Sequence, residues 1–268
     1  MKKIIALLLT LVLVFAFAAC RDAKNNDGEE TTVAETTVAE TTVAETTEAP
    51  VTTEAPVTTE APTDVAEPVA VMSYAEYAAA ELDSEVVIEA YVQATQSWWD
   101  NKITVYTQDM DGAYFLYELA CSEEDAAKLV AGTKIRVTGY KGEWAGEVEV
   151  VDATFEFVED ADTFVAEAMD ATALLGTEEL INHQNKLVSF DDMTVEAIEF
   201  KGGEPGDDIY VTLSKDGASY SFCVERYLTG PETEVYAAVS ALEKGDVVDV
   251  EGFLYWYEGV NTHITAVK

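Results

Sequence analysis

The residues of this chain whose types and spacing suggest chemistry are aromatic, not nucleophilic. Trp98 and Trp99 adjoin in a polar stretch, Tyr140 and Trp144 bracket a short Lys-Gly-Glu segment, and Tyr255, Trp256 and Tyr257 run together near the carboxyl end. Aromatic faces stack on sugars, and also on bases. The catalytic inventory is thin. There are two histidines, His183 in a polar run and His263 alternating with apolar residues, which suggests an outward-facing strand position for the latter. No H-E-x-x-H, G-x-S-x-G, phosphate-loop or paired-cysteine pattern is present. No enzymatic activity and no cofactor are therefore expected. Asp109, Asp111 and Glu118 partly match a calcium loop, but Thr107 takes its first position and both flanks read as strands. A hairpin turn accounts for them better, and no metal is expected.

The amino terminus carries a different signal. Lys2 and Lys3 precede an apolar run from Ile4 to Ala19, shorter than the roughly 20 residues that span a bilayer. Such a start reads as a signal peptide. It ends Phe17-Ala18-Ala19-Cys20, which resembles the lipobox of bacterial lipoproteins. The resemblance implies that Cys20 is diacylated and becomes the first residue. Phe17 stands where the family usually has an aliphatic residue and keeps the position apolar. The alternative is an ordinary secretory signal cleaved after Ala19. Two acyl chains hold a protein firmly where one does not. The expected location is the cell membrane, lipid-anchored and facing outside the cytoplasm.

Residues 20–68 then read as a linker. Thr31-Thr-Val-Ala-Glu35 recurs at Thr36 and Thr41 and drifts into Thr-Glu-Ala-Pro, ending at Pro50, Pro56 and Pro62. Such a segment cannot bury enough apolar surface to offset its ordering entropy. About 40 flexible residues would reach roughly 35 Å. The chain holds 52 acidic against 15 basic residues, a net charge of -37. Phosphate backbones gain affinity from Lys and Arg that release counterions, so the charge disfavours nucleic acid as a partner. Beyond Cys20 there are two cysteines, Cys121 and Cys223. They do not occupy matching repeat positions and are expected to be separate, buried thiols.

An internal repeat divides the rest into residues 69–160 and 161–268. Gly132, Ile135, Val137, Gly139, Tyr140, Trp144 and Gly146 recur as Gly245, Val248, Val250, Gly252, Phe253, Tyr257 and Gly259 at one constant offset. Upstream, Ile103 and Val105 match Ile209 and Val211. Each half reads as a helical lead-in (73–82 and 171–181), three strands, a helix (123–130 and 232–243) and two strands. Ile88, Ala90 and Val92 alternate with polar partners, as a half-buried strand does, and Asp111-Gly112 marks a hairpin. Three strands, a helix and two strands resemble the OB-fold, a five-stranded Greek-key barrel. The whole arrangement resembles Gram-positive-type surface lipoproteins with a lipobox, a Thr/Glu/Pro-rich stalk and tandem OB-fold-like domains. The expected class is mainly β: two tandem barrels, each with a helix between strands 3 and 4, behind a disordered linker.

OB-folds bind ligands on strands 2 and 3, between the loops after strands 1 and 4. That resemblance places Trp98, Trp99 and Trp144 beside such a groove, with Tyr140 next to it, and Tyr255, Trp256 and Tyr257 at the equivalent hairpin of the second half. The alternative role for these aromatics is to cap the barrels or pack one against the other. The reading is a non-enzymatic binding protein, with a carbohydrate or cell-envelope ligand favoured. Its rivals are a protein-interaction scaffold and single-stranded nucleic-acid binding through the barrels.

Overall fold

The structure, a computed structural model, describes residues 70–268. The signal peptide, Cys20 and the whole of the linker lie outside the described residues. A short helix, α1 (Tyr74–Ala79), opens the described chain. Ser73 caps it: its Oγ accepts from the Glu76 N–H, while Glu76 accepts from the Ser73 N–H at 2.8 Å. This reciprocal capping box fixes where the helix starts. Tyr77 then packs edge-on to Tyr114, with ring centroids 4.9 Å apart.

Five strands follow: β1 (Glu85–Thr95), β2 (Lys102–Gln108), β3 (Ala113–Ala120), β4 (Lys134–Trp144) and β5 (Glu147–Phe157). They close a barrel in the order β1-β2-β3-β5-β4, with β3 and β5 parallel and β4 returning onto β1. Helix α2 (Glu123–Ala126) lies between β3 and β4, so this is the OB-fold order. Val86, Ile88, Ala90 and Val92 face inward as their alternation requires, joined by Leu116, Ile135, Val137 and Val150.

The second half repeats the plan. It contains β6 (Met169–Asp170), β7 (Leu187–Phe200), β8 (Ile209–Lys215), β9 (Ala218–Val224), α3 (Glu234–Ser240), β10 (Val247–Phe253) and β11 (Asn261–Val267). The sheet order is β10-β11-β9-β8-β7-β6, and pairing of β10 with β7 brings it round on itself. Cys121 and Cys223 are buried free thiols.

The helices are shorter than the sequence suggests. The lead-in expected over 171–181 is two 3-10 turns, Thr172–Leu174 and Leu180–His183, with Gly176 at φ 75° between them. The helix expected over 123–130 ends at Ala126 and relaxes into turns towards Gly132. The one expected over 232–243 is α3. Thr233 caps it by accepting from the Tyr236 N–H, which delays its start.

One repeated glycine pair, Gly139 and Gly252, has a steric cause. A Cβ on Gly252 would lie 2.3 Å from the His263 carbonyl oxygen, and one on Gly139 would lie 2.7 Å from Ala153 Cβ. The last two strands of each barrel cross too closely for any side chain. Gly252→Ala is therefore expected to cost about 1–3 kcal/mol, the range for overpacking a well-filled interior. A urea unfolding curve superimposable on that of the parent would refute the steric account.

The two barrels pack directly together. Tyr106, Phe115 and Phe253 form a buried cluster with Leu187, Leu228 and Tyr255 around it. Tyr106 and Phe115 belong to β2 and β3 but point out of the first barrel, and Phe253 covers them from β10. Main-chain and side-chain hydrogen bonds flank the cluster: Ser97 N–H to the Tyr227 carbonyl at 2.8 Å, Leu187 N–H to Gln108 Oε1 at 2.9 Å, and Trp256 N–H to Glu147 Oε2 at 2.8 Å. His263 does point away from its own barrel, but it is not exposed: its Nδ1 meets the Tyr106 hydroxyl at 2.6 Å inside this interface.

Candidate functional site

The second barrel covers only part of the outer face of β2 and β3, and a bulge shapes what is left open. Ile103 pairs with Leu119, but Val105 pairs with Leu116, so Tyr117 and Glu118 together oppose Thr104. Glu118 takes up the extra residue at φ 47° and donates its N–H to Thr104 Oγ1. Bulges re-aim side chains in this way. Tyr117 stands half-exposed on the outer face, and Glu118 pairs with Lys102 Nζ at 2.6 Å.

Two tight turns bring the tryptophans to this face. Asp100 and Asn101 both have positive φ, and Trp99 exchanges backbone hydrogen bonds with Lys102 across them. That turn holds Trp99 out in solvent, 71% exposed. Ala145 and Gly146 likewise have positive φ between β4 and β5, and Trp144 projects from that hairpin with its ring 5.2 Å from Tyr257 of the second barrel. Three adjoining hollows run between these points. One, of about 320 Å³, is lined by Trp99, Lys102, Thr104, Tyr117, Glu118 and Tyr227 among others. A second, of about 200 Å³, lies among Tyr117, Trp144, Glu149 and Tyr255. The third, of about 460 Å³, runs along Lys102, Tyr117, Glu118 and Glu149 to Thr154. Tyr117 borders all three, so they make one groove. Burial raises the Glu149 carboxyl above its usual range. Burial and then Glu118 raise the Tyr117 hydroxyl.

Trp99 and Trp144 thus stand at opposite ends of the groove. Trp98 lines no part of it. Trp98 packs against the first barrel's core and donates Nε1–H to the Cys121 carbonyl at 2.9 Å. Tyr140 is half-exposed on β4, paired with Glu85 and Val151, and lines none of the three hollows. Trp256 packs on the second core and against Gly146, where a Cβ would lie 2.8 Å from its ring. Tyr257 supports Trp144, and Tyr255 forms a groove wall. Tyr255 and Tyr257 of the second half therefore help to build the first barrel's groove. Sequence reasoning missed Tyr117, Tyr227, Lys102, Glu118 and Glu149. A cue existed for the first: inward Leu116 and Leu119 are three apart, where an unbroken strand requires two.

The strand order and the closure of the first sheet define the class, a mainly β protein of tandem OB-fold-like barrels. No protein-family model matches the chain, and no curated protein matches it in sequence. Solved structures do resemble it. A murine DNA binding protein bound with double-stranded DNA is 10% identical, with a TM-score of 0.34 over 68% of this chain and 94% of that one. A HINa domain in complex with 20-base-pair double-stranded DNA is 11% identical, with a TM-score of 0.34 over 69% and 98%. A replication protein A heterotrimer bound to single-stranded DNA is 13% identical, with a TM-score of 0.28 over 68% and 50%. Likeness at this level transfers no activity. It does correct the expectation that net charge disfavours nucleic acid as a partner, since proteins similar to this chain are bound to DNA in those structures. The physical reason is that net charge describes the far field, whereas base stacking on aromatic side chains acts at contact range.

Proposed function

We propose that this protein binds a carbohydrate of the cell envelope in the groove from Trp99 to Trp144, and that it does so without catalysis. The observation that carries this reading is the open aromatic floor: Trp99, Tyr117 and Trp144 rise from a surface that also carries Glu118, Glu149 and Lys102. Aromatic rings offer faces for the C–H side of a sugar, and Glu118, Glu149 and Lys102 offer acceptors and a donor for its hydroxyls. Lipid attachment at Cys20 would place the groove outside the cytoplasm on a reach of tens of ångströms. A scaffold role has its own support, because Tyr106, Phe115 and Phe253 are spent on joining the barrels.

The test is a glycan array probed with the full chain, with single- and double-stranded DNA as parallel arms. A glycan signal that Trp99→Ala weakens about 10-fold or more, in keeping with the weight aromatic anchors carry at binding sites, supports the reading. Trp99 is too exposed for its loss to disturb folding. A signal untouched by that substitution, or DNA binding that outcompetes every glycan, overturns it. Palmitate-analogue labelling that survives Cys20→Ser would remove the anchor.

A further inference from the structure

We infer that the hollow among Tyr117, Trp144, Tyr255 and Glu149 is a cage for a quaternary or methylated ammonium group, carried by the ligand of this groove. The inference rests on the groove being a binding site, and it adds the chemistry of one end. Three aromatic side chains and one carboxylate line a volume of about 200 Å³. A cation over an aromatic face is attracted by the ring's quadrupole, and quaternary ammonium ions are the group for which such cages serve.

Each wall is held in place by contacts of its own. Tyr255 stacks on His263 with centroids 4.2 Å apart and meets Phe115 edge-on at 5.3 Å. Trp144 leans on Tyr257. Tyr117 is set by the bulge at Glu118. Glu149 is only 9% exposed, burial raises its carboxyl, and among the described residues it takes part in no ion pair and no side-chain hydrogen bond. A carboxylate set among aromatic rings is less well solvated than one in open water. A cation in the hollow would supply the missing charge.

The same geometry argues against other occupants. A bare metal ion requires several oxygen ligands, and this hollow offers one carboxylate among aromatic rings. An unmethylated ammonium has three N–H donors to satisfy. A methylated ammonium carries few or none, and its apolar surface suits ring faces. A neutral group of the same shape would leave Glu149 uncompensated. Tyr255 comes from the second barrel and the other three walls from the first, so the site exists only when the barrels are docked. The net charge of -37 would also raise the local concentration of cations.

Isothermal titration of the full chain with choline chloride tests this, with 3,3-dimethylbutan-1-ol as the neutral isostere and ammonium chloride as the unmethylated cation. Saturable choline binding is expected, at least tenfold weaker in Trp144→Ala and in Glu149→Gln, with no saturable binding of the isostere. Trp144→Phe, which keeps a ring face, should retain most of the affinity and guards against a folding artefact. Choline binding unchanged in Trp144→Ala, equal binding of the isostere, or no saturable choline binding each overturns the cage. Trp99→Ala separates the two proposals: it should weaken glycan binding and leave choline binding intact. Loss of the cage with glycan binding retained condemns the cage alone, and choline binding with no glycan signal condemns the glycan reading alone.

Discussion

Replacing Tyr106 by alanine is expected to lower the unfolding free energy by about 3–5 kcal/mol, the range for truncating a large buried aromatic side chain. The side chain belongs to neither barrel's core. It points outward from β2, is 1% exposed, stacks on Phe253 at 4.4 Å and meets Phe115 edge-on at 5.1 Å. Its hydroxyl lies 2.6 Å from His263 Nδ1 and accepts from Gln96 Nε2 at 3.2 Å. Truncation would open a void and strand a buried imidazole nitrogen, and both losses fall on the contact between barrels. The expected signature is a lower urea midpoint together with separation of one transition into two, since the substitution leaves each core intact. Tyr106→Phe keeps the packing and removes only the hydroxyl, so about 1–3 kcal/mol is expected for the unpaired nitrogen. If Tyr106→Ala unfolds at the parent's midpoint in a single transition, this cluster does not couple the barrels.

The barrel plan was legible in the sequence because the physics that sets it is local. Val86, Ile88, Ala90 and Val92 alternate because one face of β1 must be buried, and Gly139 and Gly252 recur because two strands cross there. The helices were less legible. Their lengths are set by Thr233 as a cap, by Gly176 at positive φ and by packing that a periodic pattern does not record. The groove was half legible. Trp99 lies in the loop that the OB-fold resemblance indicates and Trp144 at the end of β4 beside the other, but nothing in a Trp98-Trp99 pair says which ring turns inward. That choice depends on the Cys121 carbonyl being in reach of Trp98 Nε1. The interface was least legible. His263 and Tyr106 lie far apart in sequence, and the alternation that turns His263 outward is the same whether solvent or a second barrel waits there. The charge-based expectation about nucleic acid erred for a related reason, because a whole-chain count has no spatial resolution.

The interface should also make stability fall as pH rises, through Glu147. This carboxyl is 0% exposed, and burial pushes it up to about 8 from 4.5, against the opposing hydrogen bond from the Trp256 N–H. Its Oε1 has no partner, and neither does Asn185 Oδ1; a proton on Oε1 supplies the donor that this pair lacks. Between the two values the folded chain keeps a proton that the unfolded chain has released. Stability therefore falls by about 1.4 kcal/mol per pH unit across that window, about 5 kcal/mol in all. His263 acts in the opposite sense. Burial holds it at about 3, down from 6.5, so over that interval the unfolded chain binds the extra proton and stability rises with pH. The two slopes oppose one another up to pH 6.5, beyond which Glu147 is unopposed by His263. Glu225, raised to about 7 by burial, and Glu149, raised likewise, add to the fall. Glu147→Gln keeps an acceptor for the Trp256 N–H and brings its own donor for Asn185. It should match the parent near pH 5 and exceed it by about 3–4 kcal/mol at pH 8, while Glu225 and Glu149 still give the variant a shallower decline. Urea unfolding at half-unit steps from pH 5 to 9 measures both slopes, and parallel curves for the two proteins would mean that Glu147 ionises at no cost to the interface.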